Sequence, residues 1–147
     1  MSIFLSQHDC GPVYNDLVSL TETPQPLIFD SKTLKTKKPF TFNDAYNCTL
    51  STAHPHQHPT KKYPINISTK MGIKTSYDCF KIINNQRIKI ASIPITKPSY
   101  QHSFGLTENY LILVDTPFKV NPLDILLKNK PFIEHFSWEN APTTFHI

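Results

Sequence analysis

Four of the seven histidines fall in two short segments. His54, His56 and His58 lie in Ala53-His54-Pro55-His56-Gln57-His58-Pro59, and His102 lies in Tyr100-Gln101-His102-Ser103-Phe104-Gly105. A neutral imidazole is a ligand for zinc, copper and iron. Residues two apart on an extended segment point the same way, so an H-x-H pair can present two nitrogens together, although Pro55 distorts that geometry. An exposed Pro/His loop accounts for the same spacing, and the pattern alone leaves both readings open. His8, His135 and His146 have no partner pattern and read as surface or satisfied core positions.

Two carboxylates stand beside apolar runs: Glu22 after Leu17-Val18-Ser19-Leu20, and Glu108 before Tyr110-Leu111-Ile112-Leu113-Val114. A carboxylate there can accept the second ring N–H of a metal-bound histidine and fix its orientation, but ordinary strand-end polarity explains both as well. With three glycines there is no phosphate-cradling loop, and no Ser-His-Asp or Cys-His signature stands out. Cys10, Cys48 and Cys79 are odd in number and widely spaced, as expected of free thiols in a reducing compartment. Asn47-Cys48-Thr49 and Asn66-Ile67-Ser68 match the glycosylation sequon and read as chance.

The net charge is +4, yet Arg87 is the sole arginine and the lysines are scattered apart from Lys35, Lys37, Lys38 and the pair Lys61, Lys62. Arginine makes the bidentate phosphate and base-edge contacts, so nucleic acid is not the expected partner. No apolar run approaches the ~20 residues of a membrane helix, and the first residues lack the basic and apolar regions of a secretory signal. A soluble, cytoplasmic protein is expected, with peripheral membrane contact left open.

The elements that must hold these side chains are short strands between turns. Leu17–Leu20 and Leu27–Phe29 read as strands, the latter closed by an Asp30-Ser31-Lys32 turn. A hairpin is expected from Tyr77–Ile83 through Asn84-Asn85-Gln86 to Arg87–Ile90, with Ile88 and Ile90 alternating against Arg87 and Lys89 as a half-buried strand does. The continuous apolar run Tyr110–Val114 predicts a strand covered on both faces. Asn121, Pro122 and the leucines 123, 126 and 127 predict one short helix that Pro131 stops. Many short strands with Pro-rich turns indicate an all-β sandwich, barrel or propeller.

Lys97-Pro98-Ser99-Tyr100-Gln101-His102-Ser103-Phe104-Gly105-Leu106-Thr107-Glu108-Asn109-Tyr110 closely resembles a signature of the carotenoid oxygenase family, also called the carotenoid cleavage dioxygenase or retinal pigment epithelial membrane protein family. Ser51-Thr52-Ala53-His54-Pro55-His56 resembles an earlier motif of that family. Leu20-Thr21-Glu22-Thr23, followed by Phe29-Asp30-Ser31-Lys32-Thr33-Leu34, resembles the segment before it. The three matches keep the family's order.

The resemblance implies an all-β, seven-bladed β-propeller with four histidines on an axial non-haem Fe(II). His54 would be the first iron ligand, His102 the second, and Glu22 a glutamate bonded to a ligand imidazole. His56 and His58 gain little from it, Glu108 would support the His102 loop, and His146 is not a ligand. The implied reaction is oxidative cleavage of a conjugated C=C bond of a carotenoid or apocarotenoid by O2, giving aldehydes or ketones. The helix after Asn121 resembles apolar helices near the family's substrate entrance and the membrane surface.

At roughly 40–45 residues per four-stranded blade, the chain holds about three blades. Residues 1–147 are therefore expected to form one propeller fragment, incomplete at both ends, with two of the four iron ligands and little or no activity alone. The alternative is a non-catalytic remnant or interaction fragment that pairs its open sheet edges with another chain.

Overall fold

The computed structural model describes residues 2–4 and 16–147. His8 and Cys10 lie outside them.

Among the described residues, short antiparallel strands make up four sheets. The first is a meander of β1 (Ser2–Phe4), β2 (Asp16–Leu20), β3 (Leu27–Asp30) and β4 (Thr36–Pro39) in sequence order. The second contains β5 (Leu50–Ser51), β6 (His56–Gln57), β7 (Pro64–Lys70), β8 (Ser76–Ile83) and β9 (Gln86–Pro94), with β5 and β6 both paired to β7. The third contains β10 (Gly105–Leu106), β11 (Leu111–Asp115) and β14 (Thr144–His146). A two-stranded ribbon joins β12 (Phe118–Val120) to β13 (Phe136–Trp138).

The central strands β7 and β8 of the second sheet are covered on both faces because their residues alternate between two neighbours. Ile65 and Ile67 on β7, with Tyr77 and Cys79 on β8, form one buried cluster with Phe104, just before β10, and Leu113 of the third sheet. Asn66, Ser68, Asp78 and Phe80 are buried as well. Of these, Asn66 and Phe80 line an apolar cleft that also takes Val18 and Leu20 of the first sheet. Burial disfavours the charged form of the Cys79 thiol and pushes it up to about 11, leaving an inert core sulfur.

The β8–β9 hairpin turns on Asn84 and Asn85 alone, both with left-handed φ (50° and 60°), so Ile83 faces Gln86. Asparagine tolerates that conformation, and two such residues form the turn that suits strand twist. The expected half-burial of Ile88 and Ile90 does not hold, and Lys89 is exposed with them. Ile88 and Ile90 are exposed, while the Arg87 side chain is only 11% exposed, bonded to Asp44. Its guanidinium donates Nε–H to Asp44 Oδ2 at 3.1 Å and an NH2 hydrogen to Oδ1 at 2.6 Å, and lies over the rings of Phe42 and Tyr46. Planar guanidinium chemistry, rather than apolar periodicity, decides which face of β9 is packed.

One further expectation is modified. In β11 only Leu113 and Asp115 are fully buried, and Tyr110 is exposed before the strand begins, because this third sheet supplies just two short neighbours. The helix α1 (Pro122–Leu127) forms as expected, with Asn121 Oδ1 accepting the Leu123 N–H at 3.1 Å. Leu123 and Leu127 are exposed.

Candidate metal centre

Glu22 lies two residues beyond β2, His54 lies between β5 and β6, and His102 lies on the connection from β9 to β10. The structure brings all three together. The His54 and His102 rings lie edge to face with centroids 4.5 Å apart. His102 Nδ1 lies 2.7 Å from Glu22 Oε1. A carboxylate can only accept, so Nδ1 carries the hydrogen and the lone pair of His102 resides on Nε2.

Each segment is anchored on both sides of its functional residue. The Glu22 carbonyl accepts the Ser51 N–H at 3.1 Å, tying the β2–β3 connection of the first sheet to the strand that leads to His54. Before His102, the Ser99 N–H donates to the buried Tyr77 hydroxyl at 2.5 Å, and Gln101 Nε2 donates to the Val114 carbonyl at 3.0 Å. After it, Phe104 is buried. The Tyr77 hydroxyl in turn donates to Asp115 Oδ1 at 2.7 Å, and Lys119 pairs with Asp115 Oδ2 at 2.6 Å. His102 itself is well exposed, with 62% of its side chain accessible. It is a solvent-facing ring held by a buried frame.

Tyr100 belongs to the same group, although sequence reasoning did not select it. Its hydroxyl donates to Glu22 Oε2, and its ring lies nearly parallel to that of His102, with centroids 6.4 Å apart. Burial, together with the hydrogen bond and charge of Glu22, pushes the Tyr100 phenol up to about 12, so it remains a donor at neutral pH. The available signal was position: Tyr100 precedes His102 by two residues in an extended segment.

The other described histidines have structural partners. His56 stacks on Phe104 with centroids 4.4 Å apart. Buried His58 accepts the Thr60 and Lys61 N–H groups at Nδ1, 3.3 and 3.2 Å away, and closes its own turn. His135 Nε2 faces the Lys130 carbonyl at 3.2 Å, and His146 lies opposite Leu113 with Nε2 3.9 Å from Asp115 Oδ2. Glu108 is exposed in the turn between β10 and β11. Among the described residues, no group of three or more His, Cys, Asp or Glu side chains is placed to hold a metal ion. The centre offers two adjacent imidazoles, one of them oriented by a carboxylate, and nothing more.

A mostly β chain with one short helix, converging three sheets on a histidine pair, belongs to a recognisable class. The chain belongs to the retinal pigment epithelial membrane protein family, whose model matches residues 9–147. It is 30% identical over 152 residues to beta,beta-carotene 15,15'-dioxygenase of Rattus norvegicus, covering 91% of this chain and 26% of that protein. It is 44% identical over 62 residues to the mitochondrial carotenoid-cleaving dioxygenase of Homo sapiens, covering 40% and 11%. The fold is similar to that of cobalt-substituted Synechocystis apocarotenoid oxygenase, with a TM-score of 0.69 at 16% identity over 88% of this chain and 29% of that one. Carotenoid oxygenases are β-propellers, and this chain covers part of one. It spans about a quarter of the length of the carotene dioxygenases it matches.

Proposed function

We propose that this chain contributes part of the catalytic propeller of a non-haem Fe(II) dioxygenase that cleaves a conjugated C=C bond of a carotenoid or apocarotenoid. In that reaction O2 is consumed, and each former alkene carbon leaves as a carbonyl carbon. The observation that carries the reading is the convergence of His54, His102 and Glu22. One imidazole has its Nδ1–H held by a carboxylate 2.7 Å away, and a second imidazole lies against it.

His54 and His102 would hold the iron, whose contribution when bound is the activation of dioxygen. The chain's own residues do the rest. Glu22 fixes the tautomer and rotation of His102. Tyr100, kept protonated, holds the second oxygen of Glu22 in place. Exposed Leu123, Leu127, Phe132, Ile133 and Trp138 near the helix offer an apolar surface suited to a polyene or a membrane.

Two imidazoles are half of the ligand set the family resemblance implies, so the chain alone is expected to bind iron weakly and to turn over no substrate. Ferrous titration of the purified chain, followed by an assay for apocarotenoid products, tests this. Robust turnover by the isolated chain would overturn the inactivity, and products of a different class would overturn the reaction.

A second reading is an interaction fragment that pairs its open edges with another chain. It is favoured by the third sheet, where Phe145 of β14 is 61% exposed and Ile147 just beyond is 80% exposed. Mass measurement in solution separates the two: a defined heteromer supports the interaction fragment.

A further inference from the structure

Asn66 lies in a sequon, yet its side chain is buried, and its amide has a different use. Leu50 and Ser51 of β5 face Thr69 and Ser68 of β7, whereas His56 and Gln57 of β6 face Ile65 and Pro64. Between these pairs, residues 52–55 stand opposite residues 66–67 only. The strand therefore carries two extra residues at this point, and the bulge bears His54. Such a bulge loses ladder bonds and re-aims a side chain.

The lost bonds are replaced by Asn66. Its Oδ1 accepts the Thr52 hydroxyl at 2.6 Å and the Ile67 N–H at 2.9 Å. Its Nδ2 donates to the Thr52 carbonyl at 2.9 Å and to Ser51 Oγ at 3.4 Å. Both lone pairs and both hydrogens of the amide are thus engaged. Thr52, which gives its hydroxyl hydrogen to Asn66, accepts the His54 N–H on the same oxygen at 3.3 Å. The result is a directed relay from a buried asparagine through one hydroxyl to the backbone of His54.

We infer that Asn66 and Thr52 are positioning residues: they shape the bulge so that the His54 ring meets the His102 ring. The functional consequence rests on the reading of those two histidines as metal ligands, but the geometric claim does not. Substituents on Cβ alone cannot do this, since the relay needs an acceptor, two donors and a hydroxyl in fixed order.

The test uses the metal-free 147-residue chain and NMR, reading ring-to-ring NOEs between His54 and His102, exchange of the His54 amide, and the signals of Tyr77 and Leu113 as a report on the core. Thr52→Val, which keeps shape and removes the hydroxyl, should leave the core signals in place, abolish the ring NOEs and speed His54 amide exchange about tenfold. Thr52→Ser should retain the contact. Unchanged NOEs in Thr52→Val, or their loss in Thr52→Ser, would overturn the proposal. If Thr52→Val unfolds the chain, Asn66→Asp decides, because it removes both Nδ2 donations while preserving size; an intact ring contact there overturns the proposal. In parallel, cobalt(II) affinity should fall about tenfold in Thr52→Val and recover in Thr52→Ser. A wild-type chain that binds no cobalt while its ring contact still depends on Thr52 would remove the metal reading and support the positioning one.

Discussion

His102 Nδ1 and Glu22 Oε1 are 80 residues apart in the chain and 2.7 Å apart in space. Nothing local requires this. The first sheet delivers Glu22 as β2 ends, and the Ser99, Gln101 and Phe104 anchors deliver His102. The pair therefore reports on the packing of separate sheets as well as on the chemistry of a site.

Glu22→Gln should test that relationship without emptying the space. The amide can still accept at oxygen, but it no longer offers a full carboxylate to the imidazole. Removing such a partner costs about 10–100-fold in metal affinity. Calorimetric cobalt(II) titration should show a fall in that range with an unchanged circular dichroism spectrum, and equal affinity would remove Glu22 from the centre.

Tyr77→Phe should destabilise the chain while leaving its shape intact. The phenol is fully buried, donates to Asp115 and accepts from the Ser99 N–H. Losing it strands a buried N–H and a carboxylate oxygen, at about 1–3 kcal/mol. Urea unfolding should show the midpoint move with no change in slope.

Acid should weaken the fold. Burial would raise the Asp78 carboxyl, but hydrogen bonds from Lys89, Ser92, Ser76 and Tyr46 together outweigh it and hold the group below its ordinary 3.8. Asp115 is lowered in the same way, burial being outweighed by Lys119, Tyr77 and Ser99. A depressed carboxyl contributes stability above its unfolded value and loses that contribution as pH falls through the folded one. Unfolding midpoints should thus be flat from neutrality to about pH 5 and fall steeply below 4. Asp78→Asn should flatten the acid limb.

Arg87→Lys should not behave as a conservative change. A lysine cannot span both oxygens of Asp44 or lie flat over Phe42 and Tyr46. A loss of about 1–3 kcal/mol is expected by urea unfolding, and stability equal to the parent would contradict the clamp.

Arg87 also marks where the sequence was legible and where it was not. The hairpin was visible because β-branched residues flank an asparagine pair, and Asn121 with Pro122 announced the helix start. Those are local signals. The face of β9 that packs is decided by Asp44, 43 residues away, and no period within the strand carries that information. The same limit applies at the centre. His54, His102 and Glu22 were found through motif resemblance, whereas Tyr100 and Asn66 act through partners on other segments. Thr52 and Asn66 satisfy a bulge whose existence depends on how β5 and β6 share β7.

The most direct test of the central claim is a double-mutant cycle in cobalt(II) affinity on the 147-residue chain, using His54→Ala, His102→Ala and the pair together. If both imidazoles serve one ion, each single change should lower affinity at least about tenfold, and the double change should cost clearly less than the two singles combined. Binding that survives His54→Ala undiminished, or two losses that simply add, would show that the two rings do not share a metal.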